Sequence, residues 1–274
     1  MPAFPTFLVI GAMKAGTYSL HHYLQHHPQI EMSRKRKEVN FFVDGFNWHR
    51  GADWYRQFWA GNTPVRGESS TRYSMYGRYP GVPARIAGLL PKVKLIYAVR
   101  DPVERLVSQY VHEVDDNQEQ RSFEQMLSAP DRQLSLGTGC YHQQLLQYLE
   151  YFPAESIHVV CNEELAADPR REMKPLLRFL GVDADFEHAD WCVKHNDGGD
   201  KCRETASGRF VRRLVGRRRL RRAPLLRQTF TRPITTPLFD AQRHADIVAM
   251  YRADCEKLEG FTGRSFRQWK RLWP

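Results

Sequence analysis

The chain has no long hydrophobic run, few cysteines and fewer acidic than basic residues, and each shortage excludes something. No apolar stretch approaches the ~20 residues needed to cross a bilayer. With 42% hydrophobic and 26% charged residues, the chain reads as a soluble globular protein. The apolar start from Phe4 to Ile10 is only a strand's length and lacks a basic leading region and a small-residue cleavage site. It is not expected to be a signal peptide, and a cytoplasmic location is the default expectation. The five cysteines form no C-x-x-C pair and no His/Cys cluster of metal spacing, which argues against a zinc site. Cys192 and Cys202 are spaced to close a short loop if oxidised, and two free thiols fit a cytosolic setting at least as well. With 31 acidic against 41 basic residues the net charge is +10. That points to an anionic partner: a nucleotide, an acidic glycan, a membrane surface or nucleic acid.

A length of 274 residues suits one sizeable α/β domain with decorations, spanning 1–274, and is short for two. Phe7 to Ile10 is an apolar run feeding a Gly-containing turn, and Thr17 to Gln25 then reads as a helix ended before Pro28, giving strand, loop, helix. A second buried strand, "KLIYAV" (Lys94 to Val99), follows an amphipathic stretch from Pro83 to Leu90. After it, Asp101 is placed as N-cap and Pro102 at the first turn of a helix whose apolar positions are Val103, Leu106, Val107 and Tyr110. A helix from Tyr141 to Tyr151 precedes a third strand, Ile157 to Cys161. "NEELAADP" reads as a short turn before a helix from Pro169 closed by Gly181. A last helix is expected from Asp240 to Glu259. Strands alternating with helices predict a P-loop-like α/β fold, a mostly parallel sheet flanked by helices with ligands at the carboxyl ends of its strands, plus a basic helical C-terminal region.

In "GAMKAGT", Gly11, Ala12 and Gly16 let the backbone curl so that N–H groups and the following helix N-terminus face an anion. A nucleotide phosphate is the natural tenant. A Walker A loop places lysine directly after its second glycine, whereas Lys14 lies two residues before Gly16 and Thr17 follows that glycine directly, so the match to an ATPase fails. Taken alone, the loop is also compatible with an ordinary strand-to-helix turn. In "VRDPVERLVSQY", Arg100 ends a strand and Ser108 lies about two helical turns on, a pair able to clasp one phosphate.

These two segments resemble the 5′-phosphosulfate-binding loop and the 3′-phosphate-binding segment of sulfotransferases that use 3′-phosphoadenosine 5′-phosphosulfate (PAPS). The likeness is closer to the glycan sulfotransferases of the heparan sulfate type and their bacterial relatives. "KEVNFF" (Lys37 to Phe42) resembles that group's Lys-Glu-Pro-His-Phe-Phe segment, "GADWYRQFW" the stretch after it, and "EKLEGFTGRSFRQW" its C-terminal helix. The resemblance runs from about Phe7 to Trp269, interrupted by an arginine-rich segment. It implies that Lys14, Gly16, Thr17, Tyr18 and Ser19 surround the 5′-phosphosulfate and that Arg100 and Ser108 hold the 3′-phosphate with Tyr141 near it. It also nominates Ser207, Gly208 and Arg209 in a loop closing over the nucleotide, and sets Cys192 and Cys202 where many members have a disulfide. Glu38 is then the candidate base that deprotonates the acceptor, and Lys14 the cation that stabilises the leaving phosphate, 3′-phosphoadenosine 5′-phosphate (PAP) being the product. No metal is required by this scheme. Two departures concern the acceptor side: "GESSTRY" has Ser69 where heparan-type members carry a lysine, leaving a second cation to come from elsewhere, with Arg72 a candidate, and Asn40 stands where a histidine is frequent.

The expected function is therefore sulfuryl transfer from PAPS to a hydroxyl, less readily an amine, of a glycan, glycolipid or related metabolite. Two alternatives stay open: a P-loop-type kinase, against which the lysine order speaks, and a non-catalytic polyanion or membrane binder. The last rests on the arginine-rich segment, about residues 209–232, where Arg209, Arg212, Arg213, Arg217 to Arg219, Arg221, Arg222 and Arg227 interleave with Phe210, Val211, Leu214, Val215, Leu220, Leu225 and Leu226. It reads equally as a basic amphipathic helix for peripheral contact with anionic lipid or a polyanionic acceptor, or as a solvated face packed on the domain. Nucleic acid is not expected, since no reader fold accompanies the charge.

Overall fold

The computed structural model describes residues 3–61, 63–192, 201–216, 219–220, 223–237 and 239–273. Its centre is a sheet of five strands, β1 (Phe7–Gly11), β2 (Ile30–Met32), β3 (Val65–Ser69), β4 (Lys94–Val99) and β5 (Ile157–Cys161), in the order β2-β3-β1-β4-β5. Every pairing is parallel, with Leu8 opposite Glu68 on one side and Leu95 on the other. β1 is buried along its whole length and β4 is buried from Leu95 to Val99. That is why both read as unbroken apolar runs rather than alternating ones. Parallel pairing places the loops after β1, β3, β4 and β5 at one edge of the sheet, and the chain turns to opposite sides of β1 there.

The helices behave locally as their ends dictate. Thr17–Gln25 follows β1 after the loop 12–16. Pro102–Asp115 begins with Asp101 accepting from the amides of Val103 and Glu104, as an N-cap should. Asp101 also accepts from the amides of Arg271 and Leu272, so the C-terminal segment is tied to the same corner. Pro169–Leu180 ends at Gly181 in the left-handed region (φ 80°), and the last helix, Ala241–Thr262, starts after an Asp240 cap and runs past the expected Glu259. The helix after "GTGC" is Tyr141–Leu149, a little shorter than expected.

Three features depart from the expectations. β2 and β3 were not foreseen, being short and, in β3 ("VRGES"), polar. Asn162–Ala167, expected as a turn, is a helix, stopped because Asp168 must serve as N-cap for the helix after it. The arginine-rich segment is not one continuous helix: Ala206–Val215 stops at Gly216 (φ 80°), Pro224–Phe230 follows, and Thr231–Pro233 pairs antiparallel with Cys202–Glu204. Arg217, Arg218, Arg221 and Arg222 lie outside the described residues. Cys202 is a buried free thiol, and the side chain of Cys192 is outside the described set. No helix among the described residues is long and apolar enough to cross a membrane.

Candidate active site

The loop after β1 carries the first group of predicted residues. Lys14 and Gly16 both take positive φ (68° and 79°), which curls the chain back over the start of the Thr17–Gln25 helix. Gly16 caps that helix without any side-chain acceptor, so the first-turn amides of Thr17, Tyr18 and Ser19 point toward the loop with no intrahelical partner. Such an end attracts an anion through its amides and the helix dipole. Gly16 is also sterically fixed, since a Cβ there would lie 2.0 Å from Asn162 Oδ1, at the end of β5. Thr17 is buried and Tyr18 about half exposed.

Lys14 does not stand alone. Burial first, then the charges of Lys201 and Arg100, bring its ammonium down to about 8. His112 is pushed down as well, by burial and then by Lys14. Arg100, at the end of β4, approaches the Lys14 carbonyl with one guanidinium nitrogen (3.5 Å) and pairs with Glu104 (2.7 Å), and its buried Nε has no partner among the described residues. Ser108 is part-buried one turn before His112, on the same helix face. Three cations, with Asp115, Asp116 and Glu104 near them among the described residues, form a cradle for a multiply charged anion.

Tyr141 is fully buried, and both its hydroxyl contacts go to Arg100: it donates to that residue's carbonyl (2.6 Å) and accepts from its amide (3.3 Å). It therefore holds the arginine's peptide from behind. Ser207, Gly208 and Arg209 lie in the first turn of the Ala206–Val215 helix. The Gly208 amide bonds the Thr205 cap, Ser207 Oγ lies 3.1 Å from Thr205 Oγ1, and Arg209 reaches the Glu204 carbonyl. Gly208 is required by packing, since a Cβ would meet the Phe230 carbonyl at 2.2 Å. The member of this region that reaches the cradle is Lys201, unforeseen in the sequence, just before Cys202, whose amide is fastened to Asp115 (3.0 Å).

A second group of residues surrounds Glu38. Its segment is clamped onto "GESSTRY": the buried Glu68 carboxylate accepts from Val39 N–H (3.1 Å), Tyr55 OH (2.6 Å), Tyr73 OH (2.7 Å) and Ser70 Oγ (2.7 Å). Burial raises the Glu68 pKa while those four donors pull it down. Ser70 Oγ and Tyr73 OH then accept from the Asn40 and Phe41 amides. Glu38 itself contacts Thr71 Oγ1 (3.2 Å), Lys37 Nζ (3.4 Å) and Arg72 (3.5 Å). Lys37 Nζ also donates to Thr17 Oγ1 (3.1 Å), so one ammonium bridges the carboxylate to the helix N-terminus. Burial pushes Lys37 down, with Glu38 opposing.

Lys37 thus contacts both Glu38 and Thr17, whereas Arg72 faces Glu38 and covers the Phe46 ring at 4.7 Å. Ser69 Oγ pairs with His21 Nδ1 (3.0 Å), and burial followed by Lys37 lowers His21 to about 4. Asn40, at φ 50°, keeps a buried Oδ1 without a partner among the described residues. The signal for Lys37 was present in "RKEVNFF", but only folding shows which way its side chain points.

Residues 4–198 match the sulfotransferase domain family. Bifunctional heparan sulfate N-deacetylase/N-sulfotransferase 2 of Homo sapiens is 30% identical over 241 residues, covering 80% of this chain and 26% of that protein. Bifunctional heparan sulfate N-deacetylase/N-sulfotransferase 3 of Homo sapiens is 31% identical over 236 residues, 75% of this chain and 26% of that protein. The chain thus spans about a quarter of the length of these curated relatives. The crystal structure of a sulfotransferase from Alicyclobacillus acidocaldarius superposes with a TM-score of 0.70 at 26% identity, covering 98% of this chain and 99% of that one.

Proposed function

The chain belongs to the sulfotransferase domain family, and from that premise we propose that it transfers a sulfuryl group from PAPS to a hydroxyl, less readily an amine, of a glycan, glycolipid or related metabolite. The observation that carries this reading is the bridge Thr17–Lys37–Glu38, which joins an uncapped helix N-terminus to a carboxylate. An anion site and a base are thereby held against each other, as transfer to a protic acceptor requires.

The residues present fit the donor. Lys14, Gly16 and the amides of Thr17, Tyr18 and Ser19 would receive the phosphosulfate, and Arg100, with its unpartnered Nε, and Ser108 the 3′-phosphate. The bound donor supplies the sulfuryl group and departs as PAP. Glu38 takes the acceptor's proton. Lys14 and Lys37 stabilise negative charge growing on the leaving side, and the Glu68 cluster holds Glu38 in place without meeting substrate. Asn40 Oδ1, buried and unpartnered, is available to accept a hydrogen bond from the acceptor.

A glycan acceptor is supported by the relatives, whose names specify N-sulfation of heparan sulfate. Peripheral contact with anionic membrane belongs to the same proposal, supported by the exposed Phe210, Leu214 and Leu225 amid arginines. The test is transfer of labelled sulfate from PAPS to a panel of glycans, glycolipids and amino sugars in EDTA. Turnover without divalent metal is expected; turnover only with ATP and Mg²⁺ would replace this reading with a kinase.

A further inference from the structure

The far end of the Thr17–Gln25 helix carries a cluster that sulfuryl transfer does not use. His22 and His26, four residues apart, turn to one side of the chain with their Nε2 atoms 3.2 Å apart. Asp190 reaches the same point from the short turn Ala189–Cys192, its Oδ2 3.3 Å from His26 Nε2. One ligand atom from each of the three lies within 4.8 Å of the others.

These spacings are what a metal ion imposes. Zinc bonds nitrogen and oxygen at about 2.0–2.1 Å in tetrahedral geometry, which separates neighbouring ligand atoms by roughly 3.3–3.4 Å. Two edges of that tetrahedron are already formed. Two imidazoles and a carboxylate are a donor set suited to zinc, and they fill three of its four positions. Surrounding groups hold the ligands as metal sites require. The His188 ring stacks on His26 at 3.9 Å and 8°, while its Nδ1 accepts from the Asp190 amide at 3.2 Å. The Gln25 side-chain amide sits 3.1 Å from His22 Nδ1. With its oxygen turned inward it accepts the Nδ1 proton that an imidazole bound through Nε2 carries. The His26 and Asp190 side chains are 23% and 44% exposed, so an ion can enter.

We propose that His22, His26 and Asp190 bind a zinc ion that fastens the end of the first helix to the Ala189–Cys192 turn. At 1.5 Å per residue the ion, midway between His22 and His26, stands about 10 Å along the helix from its anion-binding end, so it acts on stability and not on chemistry. Metal-free turnover and a metal-dependent melting temperature are therefore compatible.

The test is calorimetric titration of tag-free, chelator-stripped full-length protein with Zn²⁺ alone, joined to thermal melting with and without the ion. One equivalent binding at micromolar Kd or tighter, with a rise of several degrees in Tm, is expected. His22→Gln, His26→Gln and Asp190→Asn should each abolish both effects. Cobalt substitution of the unmutated protein should give visible bands of tetrahedral intensity, a readout that stands even where a variant fails to fold. No binding below about 100 μM, equal binding by the His22→Gln/His26→Gln double variant, or an octahedral cobalt spectrum would overturn the proposal.

Discussion

Replacing Lys14 with methionine should move stability and ligand affinity in opposite directions. Burial, Lys201 and Arg100 bring this ammonium from an ordinary 10.5 to about 8. At about 1.36 kcal/mol per pH unit, the site disfavours the charge by roughly 3 kcal/mol when no anion is bound. Below pH 8 the folded and unfolded chains both carry the proton and the whole cost is present. Between pH 8 and 10.5 the unfolded chain binds more protons than the folded one, so stability rises with pH across that window, and above it the cost is gone. Methionine keeps the stem and removes the charge, and the positive φ at this position is the same for both residues. The variant should therefore be more stable at pH 7 by roughly 1–3 kcal/mol and should lose the wild-type rise between pH 8 and 10.5. Its affinity for PAP should fall roughly 10- to 100-fold, the loss of a charge-assisted contact. Urea denaturation at a series of pH values, with calorimetry of PAP at pH 7, measures all three quantities. A variant less stable at pH 7 that keeps the wild-type pH slope would refute the assignment of Lys14 to a cation-crowded anion site.

Glu38→Gln should lower kcat by roughly 10²–10⁴ while leaving PAP affinity within about threefold, since the carboxylate serves the acceptor; equal losses in both would remove it as the base. Lys37→Met should cost roughly 10²-fold in kcat through the lost contact to Thr17, and an unchanged rate would return the second cation to Arg72. Gly16→Ala should destabilise by roughly 1–2 kcal/mol from its positive φ alone. Asn162→Ala in the same chain should recover the part due to the 2.0 Å approach, but not the φ part, in a denaturation cycle.

What the sequence reveals divides by whether a feature is local. β1, β4 and β5 are apolar because both faces are covered, and their boundaries are readable within a residue. β3 is not, because Glu68 is tolerated at full burial through the Val39 amide and the Tyr55, Tyr73 and Ser70 hydroxyls, donors that the fold brings around it. Lys14, Arg100 and Glu38 stand in recognisable motifs at strand ends. Lys201 and Lys37 do not announce themselves, since their neighbours are set by chain reversal. The cysteine spacings carry no metal signature, and the cluster that meets zinc spacing pairs two histidines one turn apart with an aspartate more than 160 residues on in the sequence. The family resemblance sets Tyr141 near the 3′-phosphate, and in the fold its hydroxyl bonds the peptide groups of Arg100. The arginine-rich segment misled because periodicity carries across Gly216, where the backbone does not. Arg212 in it pairs with the buried Glu204, so one of its charges serves the fold.

The most direct measurement of the central claim is calorimetric titration of the metal-free protein with PAP and, separately, with ATP. Binding of PAP at least tenfold tighter than ATP, weakened by Arg100→Ala and by Lys14→Met, is the result expected of a site built for a 3′-phosphorylated nucleotide. Tighter binding of ATP, or PAP binding indifferent to both substitutions, would contradict it.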